Sequence, residues 1–176
     1  AMNCLTPVYT IGRQMMETLQ QHKEMDQAAA DEVIARYLGL VGLPPDIVRR
    51  YPHELSGGMK QRVVIAMALF LEPKVVILDE PTTALDVTVQ AQILNVIKDL
   101  KRRLGLSMIF ITHDLATEAE VADRIMVMYA GRIAEIAPLD RADRVEDLAP
   151  PRGRARPLER GPVHREPLLG APLIGA

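Results

Sequence analysis

Up to position 70 the apolar residues recur at helical spacing, and from Val75 onward they come in unbroken short runs. After a loop over 1–10, marked by Asn3, Thr6 and Pro7, a helix is expected over 11–22 with Ile11, Met15, Thr18 and Leu19 on one side. Asp26 is placed to cap a second helix over 27–39, whose apolar positions are Val33, Ile34, Tyr37 and Leu38. Gly42, Pro44 and Pro45 end it, and a short helix over 45–50 leads to Tyr51-Pro52-His53. Ser56 stands where an N-cap belongs, before a helix over 57–70 with Val63, Ala66, Met67 and Phe70 as its inner stripe.

The period changes at Pro73. Residues 75–79 form a continuous apolar run of the kind seen in a parallel strand buried on both faces. Asp86 caps an expected helix over 87–103, with Val89, Ile93, Val96, Ile97 and Leu100 inward and Gly105 at its end. A second buried strand over 107–112, a helix over 115–122 and a hairpin of strands 124–129 and 132–136 around Ala130-Gly131 complete the pattern. Strand, helix, strand, helix, strand predicts an α/β half-domain with a parallel sheet and flanking helices, preceded by an all-helical piece. The expected division is a helical part over 1–72, an α/β part over 73–137 and a tail over 138–176. From Ala149 the last 28 residues hold six prolines, four glycines and five arginines, so the tail is expected to be extended or disordered.

Composition narrows the function. Hydrophobic residues make up 48% and charged residues 25%, as in a globular chain. A net charge of −2 and 3% aromatics supply neither a basic field nor stacking platforms, which argues against nucleic acid as a partner. The longest apolar run, 63–71, is far short of the roughly 20 residues a membrane span needs. Cys4 is the single cysteine, so no internal disulfide forms. The nine methionines are expected to fill core and interface rather than to bind a ligand.

Three segments carry candidate chemistry. Ser56-Gly57-Gly58 opens a helix, where unpaired N–H groups and the positive dipole end suit a phosphate, and glycines permit close approach. Taken alone, such a triplet is more often a plain capped helix. Asp79 ends an apolar strand, and in open parallel sheets ligands lie beyond the carboxyl ends of strands. A carboxylate there can orient Mg²⁺, and Glu80 beside it can act as general base; the bland alternative is a surface acid pair. His113 ends the second strand, where a lone histidine is ordinarily structural. Lys60 and Arg62 are expected to be solvated on the helix that Ser56 caps.

Together these segments resemble the ATP-binding subunits of ABC transporters. Tyr51 to Val63 (YPHELSGGMKQRV) resembles the family signature, most closely that of the oligopeptide, dipeptide and nickel importer branch. Val75 to Thr82 (VVILDEPT) resembles the Walker B strand, Ala84-Leu85-Asp86 the D-loop and Ile111-Thr112-His113-Asp114 the switch region. The resemblance covers about residues 1–137. It implies Mg²⁺ at Asp79, Glu80 as catalytic base, His113 at the γ-phosphate, and Ser56, Gly57, Gly58 and Asp86 as residues for ATP. It further implies a head-to-tail dimer with a second ATPase subunit, in which each signature serves the partner's nucleotide. Integral membrane permease subunits, and indirectly a substrate-binding protein, complete the assembly at the cytoplasmic face of the plasma membrane.

The pattern departs from the family in three places. No G-x-x-x-x-G-K-[ST] phosphate loop occurs in the 176 residues, and the Q-loop glutamine would precede Ala1, as expected of a C-terminal fragment. Thr83 stands where the family more often has serine. The tail has neither the His-Pro-Tyr-Thr segment nor the cysteine-rich end of the peptide branch. Two alternatives accompany the ATPase reading: a non-catalytic remnant that donates only its signature in trans, and a non-transport ABC ATPase.

Overall fold

A computed structural model describes residues 4–114 and 119–139, which belong to one compact unit ending at Leu139. The expected tail lies outside the described residues from position 140 on, as does most of the expected helix over 115–122, of which residues 119–121 are seen as helix.

Asp26, Ser56 and Asp86 cap the helices expected after them, and Thr10 adds a cap the sequence pattern did not name. Thr10 accepts the backbone N–H of Arg13 at the start of α1 (Ile11–Gln20), and Asp26 accepts that of Ala29 at the start of α2 (Gln27–Leu40). Two 3₁₀ turns follow, Pro45–Arg49 and Pro52–Glu54; the second is not evident in the sequence pattern. In the latter, Glu54 Oε2 accepts the Tyr51 N–H at 2.6 Å. Ser56 accepts the N–H of Met59 and opens α3 (Gly57–Leu69). Asp86 caps α4 (Val87–Leu104), which Gly105 ends in the left-handed conformation at φ 62°.

Ile11, Met15, Leu19, Ile34, Leu38, Val63, Phe70, Ile93 and Ile97 build the buried core across all four helices. Tyr37 and Phe70 meet edge to face at 5.4 Å and 74°, a contact worth about 0.5–1.5 kcal/mol beyond its burial. The stripes differ in detail from expectation. Gln14 is buried in α1, Ala30 replaces Val33 in α2, and Ile65 and Leu69 are buried in α3 where Met67 is only partly so. Gln14 satisfies its amide internally, accepting from Thr6 N–H at 2.7 Å and donating to the carbonyls of Thr6 and Tyr9.

Strands β1 (Val75–Asp79) and β2 (Ser107–Ile111) pair in parallel, with α4 as the crossover. Strands β3 (Arg124–Tyr129) and β4 (Arg132–Pro138) form the expected hairpin, turned by Ala130 and Gly131 at φ 48° and 74°. Two expectations need correction. The hairpin is a separate two-stranded sheet and does not extend the parallel one. And β1 is buried on one face only: Val76 and Leu78 enter the core, while Val75 and Ile77 are 53% and 64% exposed. Ile109 and Ile111 of β2 are exposed as well, so the parallel pair presents an apolar face that no described residue covers.

Candidate functional site

The parallel register sets Asp79 beside Ile111, so the residues that leave β1 and β2 emerge at the same edge. The Glu80 N–H donates to the Ile111 carbonyl at 2.9 Å and holds the turn against β2. Glu80 has φ 45°, a left-handed conformation that costs a non-glycine residue energy and marks a constrained position. Its side chain meets His113, with Oε1 and Nδ1 3.0 Å apart. The Thr83 hydroxyl donates to the other carboxylate oxygen at 2.8 Å. These hydrogen bonds, Thr83 first and His113 second, hold the Glu80 carboxyl below its ordinary titration range. The same contacts favour the charged form and make Glu80 a weaker base than a free carboxylate. Each oxygen still has a lone-pair direction free.

The segment after Glu80 is rigid for a reason the sequence did not announce. Gln90 Nε2 donates to the carbonyls of both Thr82 and Leu85 at 3.2 Å, stapling the loop to the first turns of α4. Ala84 at the loop's crest has φ 62°, a second strained non-glycine residue within five positions of Glu80. Asp86 Oδ1 accepts the Val89 N–H at 2.9 Å, so its side chain is engaged as a cap.

Ser56, Gly57 and Gly58 lie elsewhere, at the start of α3. Ser56 Oγ is occupied by its cap to the Met59 N–H at 3.3 Å. Gly58 is buried against α4: a Cβ there would stand 2.5 Å from Val89 Cγ1, well inside contact distance. A side chain at this position would have to displace Val89, a reason for glycine additional to the expected approach to a phosphate. Among the described residues no hydrogen bond or ion pair joins Ser56–Gly58 to Asp79, Glu80 or His113. The structure brings Glu80, His113 and Thr83 together, with Asp79 adjoining, and sets the Ser56–Gly58 turn against α4.

Arg62 is half-buried rather than simply solvated. Its guanidinium donates to the Val41 and Gly42 carbonyls and to Gln92 Oε1. Among the described residues no three His, Cys, Asp or Glu side chains converge on a common metal position. Asp79 is exposed where β1 ends, a position open to a water-mediated contact with Mg²⁺. No described helix is long and apolar enough to cross a membrane.

The family model described as ABC transporter matches residues 3–83. The dipeptide transport ATP-binding protein DppD of Bacillus subtilis is 53% identical over 137 residues, 77% of this chain and 41% of its own length. This chain belongs to the ABC transporter family. The oligopeptide transport ATP-binding protein OppD of the same organism is 53% identical over 141 residues, covering 79% of this chain and 39% of that protein. The chain thus spans about 40% of the length of these relatives. Among solved structures, a dimeric ATP-binding cassette, MJ0796, in a post-hydrolysis state bound to ADP and Pi, is similar with a TM-score of 0.66. Identity to it is 27%, covering 77% of this chain and 59% of that one.

Proposed function

We propose that these residues are the signature, Walker B and switch portion of an ATP-binding subunit that energises uptake of dipeptides or oligopeptides through a membrane permease. The observation that carries the reading is the Glu80–His113 contact of 3.0 Å at the carboxyl ends of two parallel strands, with Thr83 closing the other side of the carboxylate. Asp79 would hold Mg²⁺ through water. Glu80 would take the proton of the attacking water, and His113 would face the γ-phosphate. Mg²⁺, when bound, offsets the charge on the phosphates. The similarity to the peptide-transport proteins DppD and OppD supports the substrate class, and the dimeric cassette supports a second ATPase subunit as partner. The helical part over 1–72 and the α/β part over 73–137 would be the working divisions, at the cytoplasmic face of the plasma membrane.

Without a phosphate loop in the 176 residues, the purified chain is expected to bind ATP weakly and to show no turnover above background. A phosphate-release assay with wild type and Glu80→Gln tests this. Turnover that Glu80→Gln abolishes would overturn the expectation.

The permease would dock at the groove between α1 and α2, which is lined by Arg13, Met16, Glu17, Gln20, Gln27 and Asp31. Gln14 is unsuitable as a probe because it is buried. Cysteines at Glu17 and Gln21, both exposed, are expected to crosslink to a co-expressed permease. Crosslinks from positions 140–176 alone would place the docking surface elsewhere.

A further inference from the structure

The signature helix and the D-loop helix meet along a seam two turns long. At its first level Gly58 abuts Val89. One turn further along α3, Arg62 Nη2 donates to Gln92 Oε1 at 3.2 Å. The same guanidinium reaches the other way, with Nη1 3.4 Å from the Val41 carbonyl and 3.5 Å from the Gly42 carbonyl, where α2 ends. Gly42 makes room for it. Its φ of +68° suits glycine, and a Cβ there would stand 3.3 Å from Nη1. Among the described residues Arg62 is in no ion pair. Its positive charge is shared among three neutral acceptors, two in the turn after α2 and one on α4. A planar, five-donor guanidinium spans that arrangement, and an ammonium does not.

We propose that Arg62 is a positioning residue, clasping the signature turn of α3 to the helix that follows the D-loop through Gln92 while anchoring on the carbonyls that close α2. The assignment rests on the reading above of Ser56–Gly58 and Ala84–Asp86 as nucleotide-facing segments. Its structural content is independent of any nucleotide. If those segments serve one nucleotide, Arg62 is what keeps their spacing constant.

Hydrogen exchange on the intact 176-residue chain tests the clasp in the absence of ATP. Gln92→Leu and Arg62→Lys are each expected to speed exchange of amides over 57–62 and 86–92 by about three- to tenfold, the worth of one hydrogen bond. The double variant is expected to be no faster than Arg62→Lys alone, because that change already removes the link to Gln92. Gln92→Glu is expected to slow exchange below wild type, since a carboxylate makes a charge-assisted pair with the guanidinium. A merely structural role would not reproduce that reversal of sign. Additive effects of the two single variants, or Gln92→Glu exchanging as fast as Gln92→Leu, would overturn the proposal. Should Arg62→Lys fail to fold, the opposite signs expected of the two Gln92 variants decide the matter, since Gln92 is exposed. A failed clasp leaves the ATPase reading standing, and a failed ATPase reading leaves the exchange result intact.

Discussion

In a protein that joins these residues to a phosphate loop, Glu80→Gln is expected to slow ATP hydrolysis by about 10²–10⁴-fold, the worth of a general base, while ATP affinity stays within a few-fold. The amide keeps the shape of the carboxylate. Its oxygen can still accept from Thr83 at the position now 2.8 Å away, and its NH₂ can still meet His113. What disappears is the ionised oxygen that takes the proton from water. Steady-state turnover measured beside equilibrium ATP binding separates the two effects. Binding lost together with turnover would mean that Glu80 shapes the site rather than acting as the base. Hydrolysis within a few-fold of wild type would assign the base to another group.

The helix starts were readable because each is marked by a side chain with one job there. Asp26, Ser56 and Asp86 each accept an N–H from the third residue on. The Glu80–His113 meeting was readable too, as strand ends brought level by a parallel register. The misses have physical causes. Val75, Ile77, Ile109 and Ile111 read as buried because their apolarity suits a covered sheet, yet no described residue covers them. Apolarity alone does not say what lies over a strand face, and the chain spans 59% of the solved cassette and about 40% of its peptide-transport relatives. Gln14, Gln90 and Arg62 look like ordinary surface residues in any periodic pattern. Their partners are backbone carbonyls and a side chain 30 residues away, and carbonyl positions leave no trace in composition. Gly58 was read as room for an anion, and no pattern revealed Val89 lying across it.

That last position separates two explanations for the same glycine. Gly58→Ala is expected to lower stability by about 1–2 kcal/mol, as overpacking against a β-branched side chain does. Alanine is otherwise favoured in helices by up to about 1 kcal/mol, so a net loss must come from the Cβ that would sit 2.5 Å from Val89 Cγ1. Gly39, in α2 with nothing within 4 Å of a built Cβ, supplies the contrast. Gly39→Ala is expected to raise stability by about 0.5–1 kcal/mol. Val89→Ala introduced beside Gly58→Ala removes the obstructing methyl and is expected to recover most of the loss, giving a coupling of about 1 kcal/mol or more in a double-mutant cycle. Urea midpoints of the four chains in the cycle (wild type, the two single variants and the double) measure it. If Gly58 serves only the approach of a phosphate, Gly58→Ala should stabilise the free chain as Gly39→Ala does, and Val89→Ala should add independently. The two residues would then share a seam without sharing energy, and the need for glycine would have to be sought in nucleotide-bound assemblies.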